Sequence, residues 1–265
     1  MSGFTSILIV WAAASAMMVG GWLYQRSTRN AGIVDALWST GMAASAVFYA
    51  WTGSGATLPR LLVGVMGALW GARLAAYIWH RVMNESEDGR YVALRQRWND
   101  NQTKFLIFFL AQGLLTALFS LPFWIAAHNP VAGWTPWSIL AVLVWAIALA
   151  GESVADRQLA AFRAEPSNKG KTCRRGLWRY SRHPNYFFEW LHWFAYVALA
   201  VGSGTGWVLA SLVGPTLMLC TLYWVTGIPY TEAQALRSRG DDYRDYQRTT
   251  SPLIPWFPRK SRDPR

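Results

Sequence analysis

The chain has 265 residues, of which 53% are apolar and 15% charged, with 17 tryptophans and a formal net charge of +11. Soluble domains carry about 25% charged residues, so this composition points to a membrane protein and argues against one or two soluble domains. Apolar stretches long enough to cross a hydrocarbon layer, about 20 residues each, occur seven times. These predicted spans are Phe4–Tyr24, Ile33–Trp51, Arg60–His80, Phe105–Ala127, Pro136–Ala155, Pro184–Val201 and Trp207–Pro229. We expect one all-α domain, 1–265, built as a bundle of seven transmembrane helices.

The Lys and Arg residues are concentrated in alternate connections between the spans. They are dense at 81–104, at 156–183 and in the tail 230–265. The connections on the other side contain none, namely 52–59, 128–135 and 202–206. By the positive-inside rule the N-terminus is outside and the C-terminus cytosolic. The positive charge therefore needs no nucleic-acid partner, and we expect a membrane protein with a cytosolic loop at 81–104, a basic cytosolic loop at 156–183 and a cytosolic tail at 230–265.

The N-terminal apolar run and the two cysteines lead to two further expectations. No Lys or Arg precedes residues 4–24, and the run is longer than a usual signal-peptide core, so we expect it to remain as a span. Cys173 falls in a cytosolic loop and Cys220 in span seven, so we expect neither a disulfide nor a metal site.

Spans two and three carry the first candidate site residues. Asp35 lies at the beginning of span two, where an acid either interacts with the helix dipole or belongs to a site. In span three, Arg73, Tyr77 and His80 are spaced by four and three residues, which places them on one helix face. That face is either a snorkelling interfacial stripe or the partner of Asp35. The following connection, 84–104, mixes both signs and is typical of a solvated cytosolic turn, either alone or with a short interfacial helix.

Span five ends in a polar face formed by Glu152, Asp156 and Arg163, at separations of four and seven residues. This face is either a salt-bridged helix end or the edge of a site. The segment 169–182, called the basic segment below, follows it. It contains six cations: Lys169, Lys171, Arg174, Arg175, Arg179 and Arg182. Topology and attraction to acidic lipid account for some of this charge.

The start of span six points to an anion site. Pro184 suits the first helical position, so His183 caps a helix whose first backbone donors are free. Helix N-termini with free donors bind anions. A polar stripe of Asn185, Glu189, His192 and Tyr196 then enters the span, and such a stripe faces protein or water. Together these features predict a phosphate-bearing cofactor whose reactive end reaches into the membrane.

The tail ends in the proline-rich stretch Ser251–Pro258. Prolines at this density end helices and favour extended backbone. Because the tail also contains Tyr243 and Tyr246, it is too aromatic for plain disorder. We expect it to fold back onto the basic segment.

Three motifs carry a resemblance. Asn168-Lys-Gly-Lys171, Gly176-Leu-Trp-Arg-Tyr-Ser-Arg-His-Pro-Asn-Tyr-Phe-Phe-Glu189 and Tyr246 with Leu253-Ile-Pro-Trp256 resemble the bacterial branch of the steroid 5α-reductase family. The resemblance is best over Glu152–Pro258, and sterol reductases and the isoprenylcysteine and phospholipid methyltransferases share its outline. It implies a seven-helix enzyme of the bacterial inner membrane that takes NADPH from the cytosol. That enzyme would reduce an activated C=C bond of a steroid-like or terpenoid lipid drawn from the bilayer.

The resemblance also implies residue roles. Asn185 and Glu189 would contact the nicotinamide. The residues that would hold the ribose and phosphates are Asp156, Arg163, Arg179, Tyr180, Tyr243 and Tyr246. By charge, we extend the phosphate site to Lys171, Arg174 and Arg175, and the planar fork of the two arginines matches phosphate oxygens. His183 is added because of its position at the start of span six.

On the substrate side, the eukaryotic members have a Gln-Glu pair on helix two and a tyrosine on helix three. Here the pair is missing, so Asp35 and Tyr77 become the catalytic candidates together with Glu189. A donor must stabilise the negative charge that develops on the ketone oxygen, and Asp35 could donate only if it stays protonated.

Two other functions remain open at the sequence level. An S-adenosylmethionine-dependent membrane methyltransferase would share the Arg182-His-Pro-Asn-Tyr186 turn and Glu189. Seven spans would also suit a receptor or transporter, but the polar residues crowd the cytosolic half and leave no polar path through the outer half. The oligomeric state and the physiological substrate are left open.

Overall fold

The computed structural model describes residues 3–225 and 227–259, and each regular element within them is helical. The helices are α1 Gly3–Thr28, α2 Ile33–Thr52, α3 Thr57–Asn84, α4 Gly89–Arg97, α5 Gln102–Phe119, α6 Leu121–Ala127, α7 Pro136–Ala164, α8 Pro184–Ala200, α9 Thr205–Ser211, α10 Val213–Cys220, α11 Ile228–Arg239 and α12 Asp241–Thr249. Short 3-10 helices lie at Pro166–Asn168 and Gly176–Arg179, and a π-helical turn lies at Thr221–Val225. The predicted all-α class is confirmed. Thr226 of predicted span seven and residues 260–265 of the predicted tail lie outside the described residues.

Within the part of the chain that the structure describes, six helical runs are long and apolar enough to cross a membrane. They are Gly3–Thr28, Ile33–Thr52, Thr57–Asn84, Gln102–Ala127, Pro136–Ala164 and Thr205–Arg239. They coincide with predicted spans one to five and seven, and they indicate a membrane protein. Predicted span six is α8, whose 17 residues fall short of the roughly 20 that a straight crossing needs.

Prolines interrupt two of these runs. Span four divides into α5 and α6 at Ser120, two residues before Pro122. The run after Thr205 breaks at Leu212, three residues before Pro215. A proline lacks an N–H and its ring clashes with the carbonyl four residues earlier, which explains both breaks. Pro229, at which we placed the end of span seven, lies in the first turn of a new helix, α11, where its missing N–H is no loss.

The chain divides into two compact units, which we describe separately. The first contains the residues up to Ile139 and Tyr196–Gly214. In it α2 and α3 pack closely through small residues. A Cβ at Gly64, Gly67 or Gly71 would lie 2.4–2.9 Å from the Cβ of Ala50, Ala46 or Ala43 respectively. Small residues at this spacing let two membrane helices approach backbone to backbone.

The connection 84–104 of the first unit contains the short helix α4 and a network of ion pairs. Arg95 of α4 pairs with Glu87 at 2.8 Å and with Asp100 at 2.5 Å, and Arg29 also pairs with Asp100. The side chains of Arg95 and Glu87 are only 12% and 10% exposed. Charged groups with so little solvent access require partners, and this connection supplies them from its own residues.

The second unit contains Leu140–Ala195 and the residues from Pro215 onward. In it α7 and α8 approach closely at Gly151, where a Cβ would lie 2.4 Å from the ring of Phe188. The indole N–H of Trp190 on α8 donates to the carbonyl of Pro215 on α10 at 3.0 Å. The basic segment, α11, α12 and the end of the chain complete this unit.

Candidate functional site

Asp35 and Tyr77, the predicted substrate side, belong to the first unit. Asp35 accepts hydrogen bonds from Tyr91 Oη at 2.7 Å and from Arg90 Nη2 at 2.9 Å. Among the described residues its partners therefore come from α4, which corrects our expectation that the Arg73 face of span three supplies them. In both contacts Asp35 is the acceptor, which does not fit a role as a ketone donor. Tyr77 is 57% exposed on α3 and has no burial that would order a catalytic hydroxyl.

In the second unit, the basic segment is anchored on α7. Trp178 is buried and donates its indole N–H to the carbonyl of Ala155 at 2.9 Å. Gln158 Oε1 accepts from the backbone N–H of Leu177 at 2.9 Å. Gly176 allows this approach because it has φ +57°, and a Cβ there would lie 2.3 Å from Gln158. The end of α7 therefore fixes the cations that flank Trp178.

The tail folds back onto the basic segment, as the sequence led us to expect. Arg174 pairs with Asp242 at 2.9 Å and Asp245 at 2.8 Å, both on α12. The backbone N–H of Thr172 donates to Asp242 at 2.7 Å. Burial alone raises the pKa of Asp242, but the hydrogen bonds from Thr172 and Arg174 outweigh it and leave that pKa below its ordinary value.

Tyr246 fixes the same contact from the other side. Its buried hydroxyl lies against the backbone carbonyls of Trp178 and Ser181, the latter at 3.0 Å. Burial, the largest cause, places the pKa of Tyr246 well above its ordinary value. Arg174 and Tyr246 were both predicted to hold the cofactor. Their visible role is instead to join the tail to the basic segment.

Sequence reasoning missed the residue at the centre of this contact, Glu232 on α11. One of its oxygens accepts from Arg182 Nε at 2.6 Å and from His183 Nε2 at 3.2 Å. The other accepts from Gln247 Nε2 at 2.7 Å. Arg182 also donates to the carbonyls of Gln247 and Thr250 at 3.0 and 2.6 Å. No periodicity marks Glu232, because its partners lie 15 to 50 residues away.

At the start of α8, His183 is buried rather than open to an anion. Its side chain is 3% exposed, and its ring stacks on Tyr186 with centroids 5.2 Å apart. Burial lowers the pKa of His183, and this effect outweighs the opposing hydrogen bond with Glu232. The surroundings of the His183 side chain therefore do not favour the predicted contact with a phosphate.

The polar stripe of α8 faces the protein interior, as predicted. Glu189 is 9% and His192 1% exposed. Asn185, one turn earlier, donates from Nδ2 to Asp156 Oδ1 of α7 at 3.3 Å. This contact brings together two residues that were chosen separately from the sequence, and it orients the Asn185 amide.

Four of the predicted phosphate ligands are exposed: Arg163, Lys171, Arg175 and Arg179. Arg175 makes a long contact of 3.7 Å with Glu165 and is 73% exposed. The guanidinium of Arg179 lies 6.0 Å from the ring centre of Tyr180. Exposed guanidinium groups beside a helix start can bind a phosphate without first breaking a buried ion pair.

The two remaining tyrosines differ in surroundings. Tyr180 is half-buried, and its ring packs edge-on against Phe257 at 6.0 Å. Tyr243 is 3% exposed, and burial and the nearby Glu232 carboxylate raise its pKa. It packs in a small core with Tyr246 and Ala235. Tyr180 is therefore open to a ligand, whereas Tyr243 is part of the tail's own packing.

Most of the chain matches the model of a known protein family. A family model described as a protein of unknown function, DUF1295, matches residues 21–250. The chain belongs to the DUF1295 family. The DUF1295 match includes Asp35, Glu189 and the whole basic segment, and it ends just before Ser251–Pro258. No curated protein and no solved structure matches the chain.

Proposed function

We propose that this protein is an NADPH-dependent membrane reductase that reduces the C=C bond of a lipid enone. The first candidate is the Δ4 bond of a 3-oxo steroid, as in a 3-oxo-5α-steroid 4-dehydrogenase. The proposal includes a seventh span at α8, an N-terminus outside, and a C-terminus and cofactor entrance on the cytosolic side of a bacterial inner membrane. The substrate would enter from the bilayer.

The observation that carries the proposal is the exposed cationic face of the basic segment at the start of α8. Lys171 and Arg175 of this segment are exposed, as is Arg163 in the last turn of α7, the helix on which the segment is anchored. NADPH carries three phosphate groups, so several cations with solvent access suit it. These three residues fit the phosphates better than Arg174 and Arg182, which are held by carboxylates of the tail.

The residues deeper in α8 suit the other end of such a cofactor. Asn185 is oriented by Asp156 and can present amide groups to a nicotinamide carboxamide. Glu189 is buried one turn farther along and can accept from the same carboxamide. When bound, NADPH would supply a hydride to the β-carbon of the enone, and the α-carbon would take a proton. Asp35 and Tyr77 remain predictions for the substrate side.

One observation favours the alternative, an S-adenosylmethionine-dependent methyltransferase. Asp242, Asp245 and Glu232 neutralise Arg174 and Arg182, so the basic segment presents less positive charge than its sequence contains. A cofactor with little negative charge needs fewer free cations. The two functions therefore predict different stabilising ligands.

The test begins with the melting temperature of the detergent-purified protein with NADPH, NADH or S-adenosylmethionine. A ligand at 100 times its Kd adds about 2.7 kcal/mol to the free energy of unfolding, so the true cofactor should raise the melting temperature clearly. NADPH consumption with progesterone or testosterone then tests the reaction. Stabilisation by S-adenosylmethionine alone, together with methyl transfer, would refute the reductase.

Glu189→Gln tests the site within that assay. The amide keeps the shape of the side chain but removes the carboxylate, so turnover should fall by at least about a hundredfold while the melting temperature stays near that of the parent. Glu165→Gln is the matched control, since Glu165 is an exposed carboxylate of the same unit. Full activity in Glu189→Gln would remove Glu189 from the site.

A further inference from the structure

The last described stretch of the chain, Ser251–Pro258, is fixed by backbone contacts and is not loose. Ser251 forms an isolated parallel bridge with Ser181, and its carbonyl accepts from the N–H of Arg182 at 2.9 Å. The hydroxyl of Ser181 donates to the carbonyl of Leu253 at 2.7 Å. The N–H of Trp256 donates to the carbonyl of Tyr180 at 2.9 Å. This stretch, called the aromatic corner below, therefore has a defined direction on the protein surface.

The aromatic corner exposes large apolar side chains. Leu253 points inward at 4% exposure, but Ile254, Trp256 and Phe257 are 55%, 71% and 76% exposed. Single exposed apolar residues are common, whereas a fixed group of three that includes two aromatic rings marks an interaction surface. The backbone holds these rings in place, so their exposure is built into the fold.

The position of the aromatic corner identifies what covers it. Its contacts are with Tyr180–Arg182, just before α8 begins at Pro184. The neighbouring Trp178 donates a hydrogen bond to Ala155 of α7, a helix long and apolar enough to cross a membrane, at the point where its apolar run gives way to Asp156 and Arg157. The aromatic corner thus lies where an apolar helix of the second unit ends, which is the level at which Trp and Tyr collect in membrane proteins.

Its charged neighbours fit the same surface. Arg179 is exposed beside Tyr180, and Arg259 is exposed directly after the aromatic corner. The N–H of Arg259 donates to the carbonyl of Thr249 at 2.8 Å, so this end of the stretch is also fixed. Cations beside aromatic rings suit a bilayer with acidic headgroups. A second copy of the same surface would instead bring like charges together.

We propose that Trp256 and Phe257 insert into the headgroup region of the bilayer, with Arg179 and Arg259 on the phosphates of acidic lipids. The aromatic corner then anchors the tail, and with it the basic segment, to the membrane surface. This role is separate from the proposed reaction, since it depends only on the chain being a membrane protein. A failure of the enone assay would leave it unaffected.

The test measures the depth of single nitroxide labels in lipid nanodiscs. Labels are placed at Trp256→Cys and Phe257→Cys in a chain whose native Cys173 and Cys220 are replaced by alanine. Arg244→Cys, an exposed position on α12, is the control. We expect labels at 256 and 257 to collide with oxygen several-fold more, relative to a water-soluble nickel complex, than the label at 244.

Two outcomes would overturn the insertion. A ratio at 256 and 257 equal to that at 244 would mean that the rings face water. Protection from both reagents, with spin–spin broadening that vanishes on dilution with unlabelled chain, would mean that a second copy covers the rings. Gel filtration of each labelled variant shows whether it is folded, and the two positions serve as independent tests.

The charge contribution is tested at position 257. Adding acidic phosphatidylglycerol to the nanodisc should move the label at position 257 deeper into the bilayer. The double substitution Arg179→Gln with Arg259→Gln should remove this increase in depth. Arg244→Gln with Arg248→Gln removes the same charge from α12 and should leave the response intact. An unchanged response in the first pair would refute the phosphate contacts.

Discussion

At the scale of single residues, the six cations of the basic segment separate into two groups with different roles. Arg174 and Arg182 have acidic partners on the tail, and the side chain of Arg182 is only 10% exposed. The other four, Lys169, Lys171, Arg175 and Arg179, are exposed. The sequence presents them as one run of charge, but their partners assign the first group to tail docking and leave the second for a ligand.

The ion pair between Arg182 and Glu232 should contribute strongly to stability. Its side chains are 10% and 13% exposed, so Glu232→Gln leaves a largely buried guanidinium without its carboxylate. We expect the free energy of unfolding to fall by roughly 2 to 4 kcal/mol, seen as a lower melting temperature in detergent. Glu165→Gln breaks an exposed pair with Arg175 and should change the free energy of unfolding by less than about 1 kcal/mol. Equal effects of the two substitutions would contradict this reasoning.

Because of His183, the free energy of unfolding should decrease as the pH falls into the mildly acidic range. Its pKa is lowered in the folded protein by burial, so near the unperturbed value of about 6.5 the unfolded chain binds a proton that the folded chain does not. The stabilising effect is therefore complete above about pH 6.5 and is lost as the pH falls below it. The melting temperature measured from pH 7.5 to 5 should fall less steeply in His183→Gln. An unchanged slope in His183→Gln would contradict this role of His183.

At the scale of elements, the basic segment has one face held by α7 and the tail and another open to solvent. Trp178 and Arg174 belong to the first face, and Arg175 belongs to the second. A single element can therefore position a ligand and fasten the tail without the same side chain doing both. This division predicts that neighbouring arginines respond differently to the same substitution.

Arg175→Gln should weaken the binding of NADPH more than the binding of NADH. Loss of one charge-assisted contact to the 2′-phosphate costs roughly 1.5 kcal/mol, so the KM for NADPH should rise about tenfold while the melting temperature holds. Arg174→Gln should show the reverse pattern, with a lower melting temperature and an unchanged ratio of the two KM values. If Arg175→Gln raises both KM values equally, Arg175 does not contact the 2′-phosphate.

At the scale of the whole molecule, α8 decides the topology. Six runs are long and apolar enough to cross a membrane, and α8 is shorter than these. If α8 also crosses, the termini lie on opposite sides. If it does not, the connection 202–206 and the basic segment lie on the same side. The Lys and Arg distribution favours the crossing, because 202–206 contains no cation.

Reporter fusions would measure this topology. Alkaline phosphatase fused within 202–206 should be active, because the enzyme folds only outside the cytosol. Green fluorescent protein fused after Arg265 should be fluorescent, because it folds in the cytosol. The reverse pair of results would show that α8 does not cross. A fusion within 128–135, expected outside in both cases, is the control.

The sequence by itself determined the helical class and the bounds of most spans. Apolar runs such as Ile33–Trp51 are local, and a helix satisfies its own backbone hydrogen bonds in lipid, so composition along the chain is sufficient. The burial of Glu189 and His192 also followed from helical spacing. Where a proline lay inside a run, as at Pro122 or Pro215, the break followed from the missing N–H, but only the structure located it.

Only the tertiary structure decided the partners. Asp35 is bound by α4 and not by the Arg73 face, and Glu232 joins Arg182, His183 and Gln247 across 15 to 50 residues. Such contacts depend on how the chain returns on itself, which residue spacing within one helix does not encode. Charge and spacing selected the basic segment, but the return of the tail determined which of its cations stay exposed.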